Sequence, residues 1–185
     1  MNKIELEGSY NGKLIDAYIW KSQEPVDAVT IFVQGLYGVY SPDEHDDKVN
    51  TLVSMLISKG VSHCVDYNSS RDFSFSPDTD YDERKKAFVN KTFTQELDDL
   101  KSVVRWIIEN SEKEFDIRKS DLILNIHGNS LGGTFAVLLE DFFPMIKKIS
   151  LCGSGCGTNG STKPILSTYF SEYIILDSIM KGNWE

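Results

Sequence analysis

The chain is poor in basic residues, poor in cysteine, free of long apolar runs, and has no histidine after position 127. Lys and Arg total 19 against 28 Asp and Glu, giving a net charge of -9, with the acids spread along the chain. That balance argues against nucleic acid or an anionic membrane as the main partner. No stretch approaches the ~20 apolar residues of a membrane span, and the N-terminal "MNKIELEGSYNGK" lacks the apolar centre of a signal peptide. Cys64, Cys152 and Cys156 are too few for a disulfide framework and fit a reduced cytoplasm. Cys152 and Cys156 could form a thiol pair. Without a second pair or nearby histidines, no metal site is expected.

What the chain does have is a repeating order. "KIELEGSYNGKLIDAYIW" is two alternating runs joined at Asn11-Gly12, a dipeptide that tolerates the positive φ angles of a tight turn, and it predicts an N-terminal β-hairpin at a sheet edge. "AVTIFVQG" is a short continuous apolar run that suits a strand buried on both faces, "VSHCVDYN" reads as the next strand, "DLILNIHG" as a third buried strand and "KKISLCGSG" as a fourth strand. Helices are predicted between them. Val49, Leu52, Val53, Leu56 and Ile57 share one face of the first, which Gly60 ends; Asp46 and Asp47 suit its N-terminal dipole. The second runs from about Phe93 to Glu109, with Leu97, Leu100, Val104 and Ile107 on its buried face and capping-box spacing at Thr92 and Gln95. "GTFAVLLEDFF" is the third, stopped at Pro144. The polar segment from Ser69 to Lys91 reads as a loop. Strand-helix alternation after a hairpin predicts an α/β fold: a mainly parallel sheet with helices on both faces. Ligands in such sheets sit beyond the carboxyl ends of the strands.

One turn at that edge carries chemistry. "IHGNSLGG" contains Gly128-Asn129-Ser130-Leu131-Gly132, a G-x-S-x-G pentapeptide between a predicted strand and a predicted helix. In that context the pattern lifts a serine hydroxyl onto a strained turn as a nucleophile, and the flanking glycines allow the sharp bend and close packing. The amide of Leu131 opens the following helix, where it can donate to the negative oxygen of a tetrahedral intermediate. Such a donor is worth about 3 kcal/mol.

These features resemble the α/β-hydrolase family over roughly residues 2 to 160. The likeness rests on the hairpin, "FVQGLYG" after the third strand, "VDYNSSRDFSFS" after the fourth, and "GNSLGGT" at the elbow. Gln34-Gly35 stands where the family often has His-Gly. The resemblance implies a serine hydrolase, by default a carboxylesterase, acting on a small-molecule ester or thioester without a cofactor. It assigns Ser130 as nucleophile, the N–H groups of Leu36 and Leu131 as oxyanion hole, and Gly128 and Gly132 as elbow glycines. The alternative is a non-catalytic module of the same fold, binding a small apolar ligand or a partner chain.

The resemblance also exposes a gap. The family places its acid and histidine after the nucleophile, whereas the acids that follow here are Glu140, Asp141, Glu172, Asp177 and Glu185. His127 adjoins the elbow but points to a sheet face, His63 lies within a strand, and His45 sits in an acidic loop near the oxyanion region with scope to reach Ser130. The expectation is that the base is not in this chain. Residues 1–162 would form the core, 163–185 would start a lid or C-terminal helical segment, and the hydrolase would be truncated or split. The strand from Lys147 to Cys152 would then present an open apolar edge, calling for a homo-oligomer or a completing chain. Two other patterns are weak. "GCGTNG" matches a dinucleotide-binding loop but lacks the helix that should follow at once. "PDTDYDE" suggests a calcium loop but has Glu83 where glycine is required and Val89 where a bidentate Glu belongs.

Overall fold

The computed structural model describes residues 1–35, 40, 48–71, 80, 82, 91–140 and 142–153. Strand β1 (Asn2–Glu7) pairs antiparallel with β2 (Leu14–Trp20). Their turn is closed by the Lys13 N–H, which donates to the Tyr10 carbonyl at 2.8 Å, while Asn11 and Gly12 take φ of 46° and 68°. Those are the angles for which Asn-Gly is selected. β3 (Ala28–Val33), α1 (Lys48–Ser58), β4 (His63–Asn68), α2 (Phe93–Glu109), the short α3 (Ser111–Phe115), β5 (Ile123–Asn129), α4 (Leu131–Leu139) and β6 (Ile146–Cys152) follow.

These strands form one six-stranded sheet in the order β1-β2-β4-β3-β5-β6. β3 lies between β4 and β5 and runs parallel to both, and β6 runs parallel to β5. Only the hairpin departs, with β2 antiparallel to β4. The sheet is therefore mixed but mostly parallel.

Strand side chains alternate between faces, so the two faces bury different sets. Val29, Ile31 and Val33 of β3, Val65 and Tyr67 of β4, and Leu124 and Ile126 of β5 pack under α2 and α4 through Leu100, Val103, Val104, Ile107, Phe135 and Leu139. Each fully buried Ile or Leu in this core contributes about 1.5–3 kcal/mol. The intervening Phe32 and Cys64 meet Val53 of α1 on the other face, with Trp20, Val49, Leu56 and Ile57 around them.

Local signals explain the helix ends. The Thr92 side chain accepts from the Gln95 N–H while the Gln95 side chain accepts from the Thr92 N–H, the reciprocal cap expected from sequence. At the end of α1, the Val61 N–H bonds back to the Leu56 carbonyl and Gly60 has a φ of 59°. Asp46 and Asp47 lie outside the described residues.

Several expectations need correction. Leu52 is 37% exposed and turns away from the α1 contact. β5 is not buried on both faces: Ile123 is exposed, and Asn125 and His127 are half-buried, because no described helix covers that part of the sheet. The position of β6 needs no correction: it is the last strand of the sheet among the described residues, where an open edge is expected, and it is mostly exposed, Leu151 included. α4 ends at Leu139, well before Pro144. The segment read as a polar loop has buried ends at Ser70, Arg71 and Lys91. The reason is a carboxylate on α2. Asp99 is fully buried and accepts from the Ser70 N–H and hydroxyl at 2.7 Å, from the Ser9 N–H at 2.7 Å, and from the Lys91 ammonium. Arg71 pairs with Glu96 one turn earlier. Burial pulls Lys91 down to about 8 and Arg71 down to about 9.

Candidate active site

β5 runs into α4 through a single residue, Ser130. Its backbone sits at φ 51° and ψ -119°, left-handed territory that a serine occupies at a cost of about 1–3 kcal/mol. Two hydrogen bonds hold the turn. The Ser130 N–H donates to the Cys152 carbonyl of β6 at 2.8 Å, and the Gly133 N–H donates to the Ser130 carbonyl at 3.1 Å. The serine is exposed, although Leu131, Gly132 and Gly133 beside it are buried. The bend thus lifts one hydroxyl out of a closely packed backbone.

That packing accounts for the glycines. A β-carbon on Gly128 would lie 2.4 Å from the Gly133 α-carbon, and one on Gly132 would lie 2.2 Å from the Val33 carbonyl oxygen. Strand, elbow and the exit of β3 are in backbone contact. Gly35, just past β3, faces the elbow directly: its missing β-carbon would be 3.0 Å from Ser130 Cβ. The amide of Leu131 opens α4, and the first amides of a helix have no carbonyl within the helix to bond. It is thus placed beside the serine at the positive end of a helix dipole. Leu36, the other expected oxyanion residue, lies outside the described residues.

None of the described histidines is hydrogen-bonded to Ser130. His127 lies on the sheet face opposite Leu124 and Ile126. Its Nδ1 is 3.2 Å from the Ser150 hydroxyl and its ring rests 5.6 Å from that of Phe32. Burial holds its pKa below the ordinary value. His63 begins β4, whereas Ser130 follows the end of parallel β5, so the two are at opposite ends of the sheet. The His63 Nδ1 accepts from the Ser22 N–H at 3.1 Å, and burial lowers its pKa too. His45 lies outside the described residues, as do Asp141, Glu172, Asp177 and Glu185; Glu140 is exposed at the end of α4. The dinucleotide-like loop at 155–160, most of the calcium-like loop and the segment 163–185 are also outside them. Among the described residues, no three His, Cys, Asp or Glu side chains gather as a metal site.

Sequence reasoning missed one pair near the elbow. The Gln34 side-chain amide donates to Asp66 Oδ2 at 2.7 Å, and Asp66 is fully buried. Its only sequence signal is an acid inside an otherwise apolar strand.

No family model and no curated protein matches the chain. Solved structures do. A thermostable carboxyl esterase from Bacillus coagulans superposes with a TM-score of 0.59 at 16% identity, covering 92% of this chain and 50% of that one. Brefeldin A esterase, a bacterial homologue of human hormone sensitive lipase, gives 0.55 at 16% identity, covering 90% of this chain and 43% of that one. A soluble variant of monoglyceride lipase from Saccharomyces cerevisiae gives 0.55 at 12% identity, covering 91% and 52%. The chain therefore has the α/β-hydrolase fold and spans about half the length of these structures. Among the described residues, no helix is long and apolar enough to cross a membrane.

Proposed function

From this fold as premise, we propose that the chain carries the nucleophile of a serine hydrolase for carboxylic esters or thioesters. Ser130 attacks the substrate carbonyl and forms an acyl-enzyme, which water then cleaves. The Leu131 N–H and the loop at Leu36 hold the oxygen that gains charge. The observation that carries this reading is the backbone of Ser130, at φ 51° between β5 and α4. The strain falls on one exposed serine at the carboxyl edge of the sheet, where ligands bind in such folds.

A general base is still required, because a serine hydroxyl is a weak nucleophile at neutral pH. His127 is engaged with Ser150 and His63 lies at the far end of the sheet. The base in this reading comes from outside the described residues, either from His45 or from a segment, of the same or another chain, that completes the sheet at β6. A second reading, a binding module of the same fold, draws on the lack of a histidine beside Ser130 among the described residues.

The test is labelling by a fluorophosphonate probe together with hydrolysis of p-nitrophenyl acetate. The expected result is slow, measurable labelling at Ser130, lost in Ser130→Ala. Fast labelling that disappears in His45→Ala would make His45 the base. Absence of any labelling difference from Ser130→Ala, with a ligand bound at the elbow, would replace the hydrolase with the binding module.

A further inference from the structure

We infer that Gln34 and Asp66 form a strut that sets the exit of β3 against Ser130, which makes both of them positioning residues for the proposed nucleophile. The inference rests on the hydrolase reading only for its consequence; the strut itself stands on geometry.

The chain leaving β3 is held from two sides. On one side its backbone meets the elbow. The Val33 and Gln34 carbonyl oxygens occupy the space where a Gly132 side chain would start, and Gly35 abuts Ser130 and the Asn129 carbonyl. On the other side the Gln34 side chain reaches to β4 and donates to Asp66 Oδ2 at 2.7 Å. One residue thus links the ends of three neighbouring strands. Backbone contact alone resists only closer approach. The side-chain bond to β4 limits displacement of Gln34 along and out of the sheet edge, so the two contacts together fix where the exit of β3 stands beside the serine.

Asp66 suits that role. It is fully buried, and its other oxygen, Oδ1, accepts from the Tyr67 N–H at 2.7 Å, which fixes its rotamer. A hydrogen bond to a buried carboxylate is stronger than one between neutral groups. The next described residue along the loop is tied to the same strand. The Tyr40 N–H donates to Asn68 Oδ1 at 2.8 Å, and Asn68 Nδ2 donates to the Tyr40 carbonyl at 2.9 Å. Asp66 and Asn68 are two positions apart on β4 and so share a face. Between them they bond Gln34 and Tyr40.

The atoms of the pair allow a polarity swap. In Gln34→Glu, two carboxylates would face each other. In Asp66→Asn, a single oxygen would remain for two N–H donors. In the double variant, the amide introduced at position 66 would donate to the carboxylate introduced at position 34, while the amide oxygen still accepts from the Tyr67 N–H.

The experiment measures, for all three variants of the full chain, amide hydrogen exchange at residues 34–35, exchange in α2, and the rate of fluorophosphonate labelling at Ser130. Gln34→Glu is expected to speed exchange at 34–35 by about tenfold or more, the scale of one lost charge-assisted hydrogen bond, with α2 little changed and labelling slowed by a similar factor. The double variant should recover both to within about threefold, since only pair complementarity is restored. Unchanged exchange at 34–35 in Gln34→Glu would overturn the strut. So would a double variant no better than the singles, or one that fails to fold alongside Gln34→Glu. If the wild-type chain labels no faster than Ser130→Ala, the hydrolase reading fails while exchange still decides the strut.

Discussion

Gly35 lies so close to Ser130 that a β-carbon on the glycine would stand 3.0 Å from the serine's own Cβ. Ninety-four residues separate them in sequence. Parallel pairing of β3 with β5, which sets Val33 opposite Gly128, brings both strand exits to one edge. The proposed nucleophile and the start of the proposed oxyanion loop therefore meet through backbone packing, so a single methyl added to a glycine there should be felt.

Gly132→Ala should destabilise the fold by about 1–3 kcal/mol or more, as overpacking does. The new methyl would start 2.2 Å from the Val33 carbonyl oxygen, and neither backbone can yield cheaply. Gly35→Ala should cost less, because its nearest contact is a side-chain carbon at 3.0 Å. Urea unfolding of the two variants gives the order; the reverse order would contradict the packing of the elbow.

Ser130 itself offers a separate test. Glycine usually costs about 0.5–1 kcal/mol relative to alanine inside regular structure. At φ 51° and ψ -119° that preference should invert, because only glycine is relaxed there. Ser130→Gly should be more stable than Ser130→Ala by about 1 kcal/mol in urea unfolding, and both should lose labelling. Equal stability would mean that the turn is not strained.

The elbow was legible because its determinants are local. Two glycines, a serine and an adjoining apolar run specify strand, bend and helix within one short stretch. The Asn11-Gly12 turn and the Thr92-Gln95 cap were readable for the same reason. Asp99 was not, because its partners come from residues 9, 70 and 91, and nothing in a helical stretch rich in acids marks one of them as buried. The half-open face of β5 was not legible either. "ILNIHG" has the composition of a buried strand, and its exposure depends on which helices lie over it. The Gln34–Asp66 pair needed the strand order, since only adjacency of β3 and β4 brings the two together. Within this sequence a histidine base could be sought at His45, His63 or His127; the structure describes the last two and gives each another partner.

Asp99→Asn should be among the most damaging conservative changes in the chain. The carboxylate compensates Lys91, whose side chain is 1% exposed, and it also ties the hairpin loop at Ser9 and the chain at Ser70 to α2. Removing its charge leaves the buried Lys91 with Glu96 alone, at 3.5 Å, as its counter-ion, a loss of up to about 3–5 kcal/mol. Lys91→Met in the same background should recover part of that loss. A fall below about 1 kcal/mol in urea unfolding would show that the cluster is not buried in solution.

The final prediction concerns acid. His63 is 5% exposed, and its Nδ1 accepts from the Ser22 N–H, so the neutral ring carries its proton on Nε2. Protonating Nδ1 would break that bond and bury a charge. Burial is the main cause of its lowered pKa, with a smaller contribution from Lys21; the Val26 backbone pulls the other way. A folded-state pKa below the unfolded value of about 6.5 means that the unfolded chain binds the proton first as pH falls. The stability supplied by neutral His63 is thus complete above about pH 6.5 and declines below it, with a slope of at most about 1.4 kcal/mol per pH unit. His127 is shifted in the same direction and adds to the decline. Urea midpoints measured from about pH 8 down to about pH 5, the range over which histidine titrates, should therefore fall for the wild type and fall less for His63→Gln, so that the two curves converge in acid. Parallel curves would mean that His63 does not change its charge on unfolding in this range, and that its bond to Ser22 is not what holds it neutral.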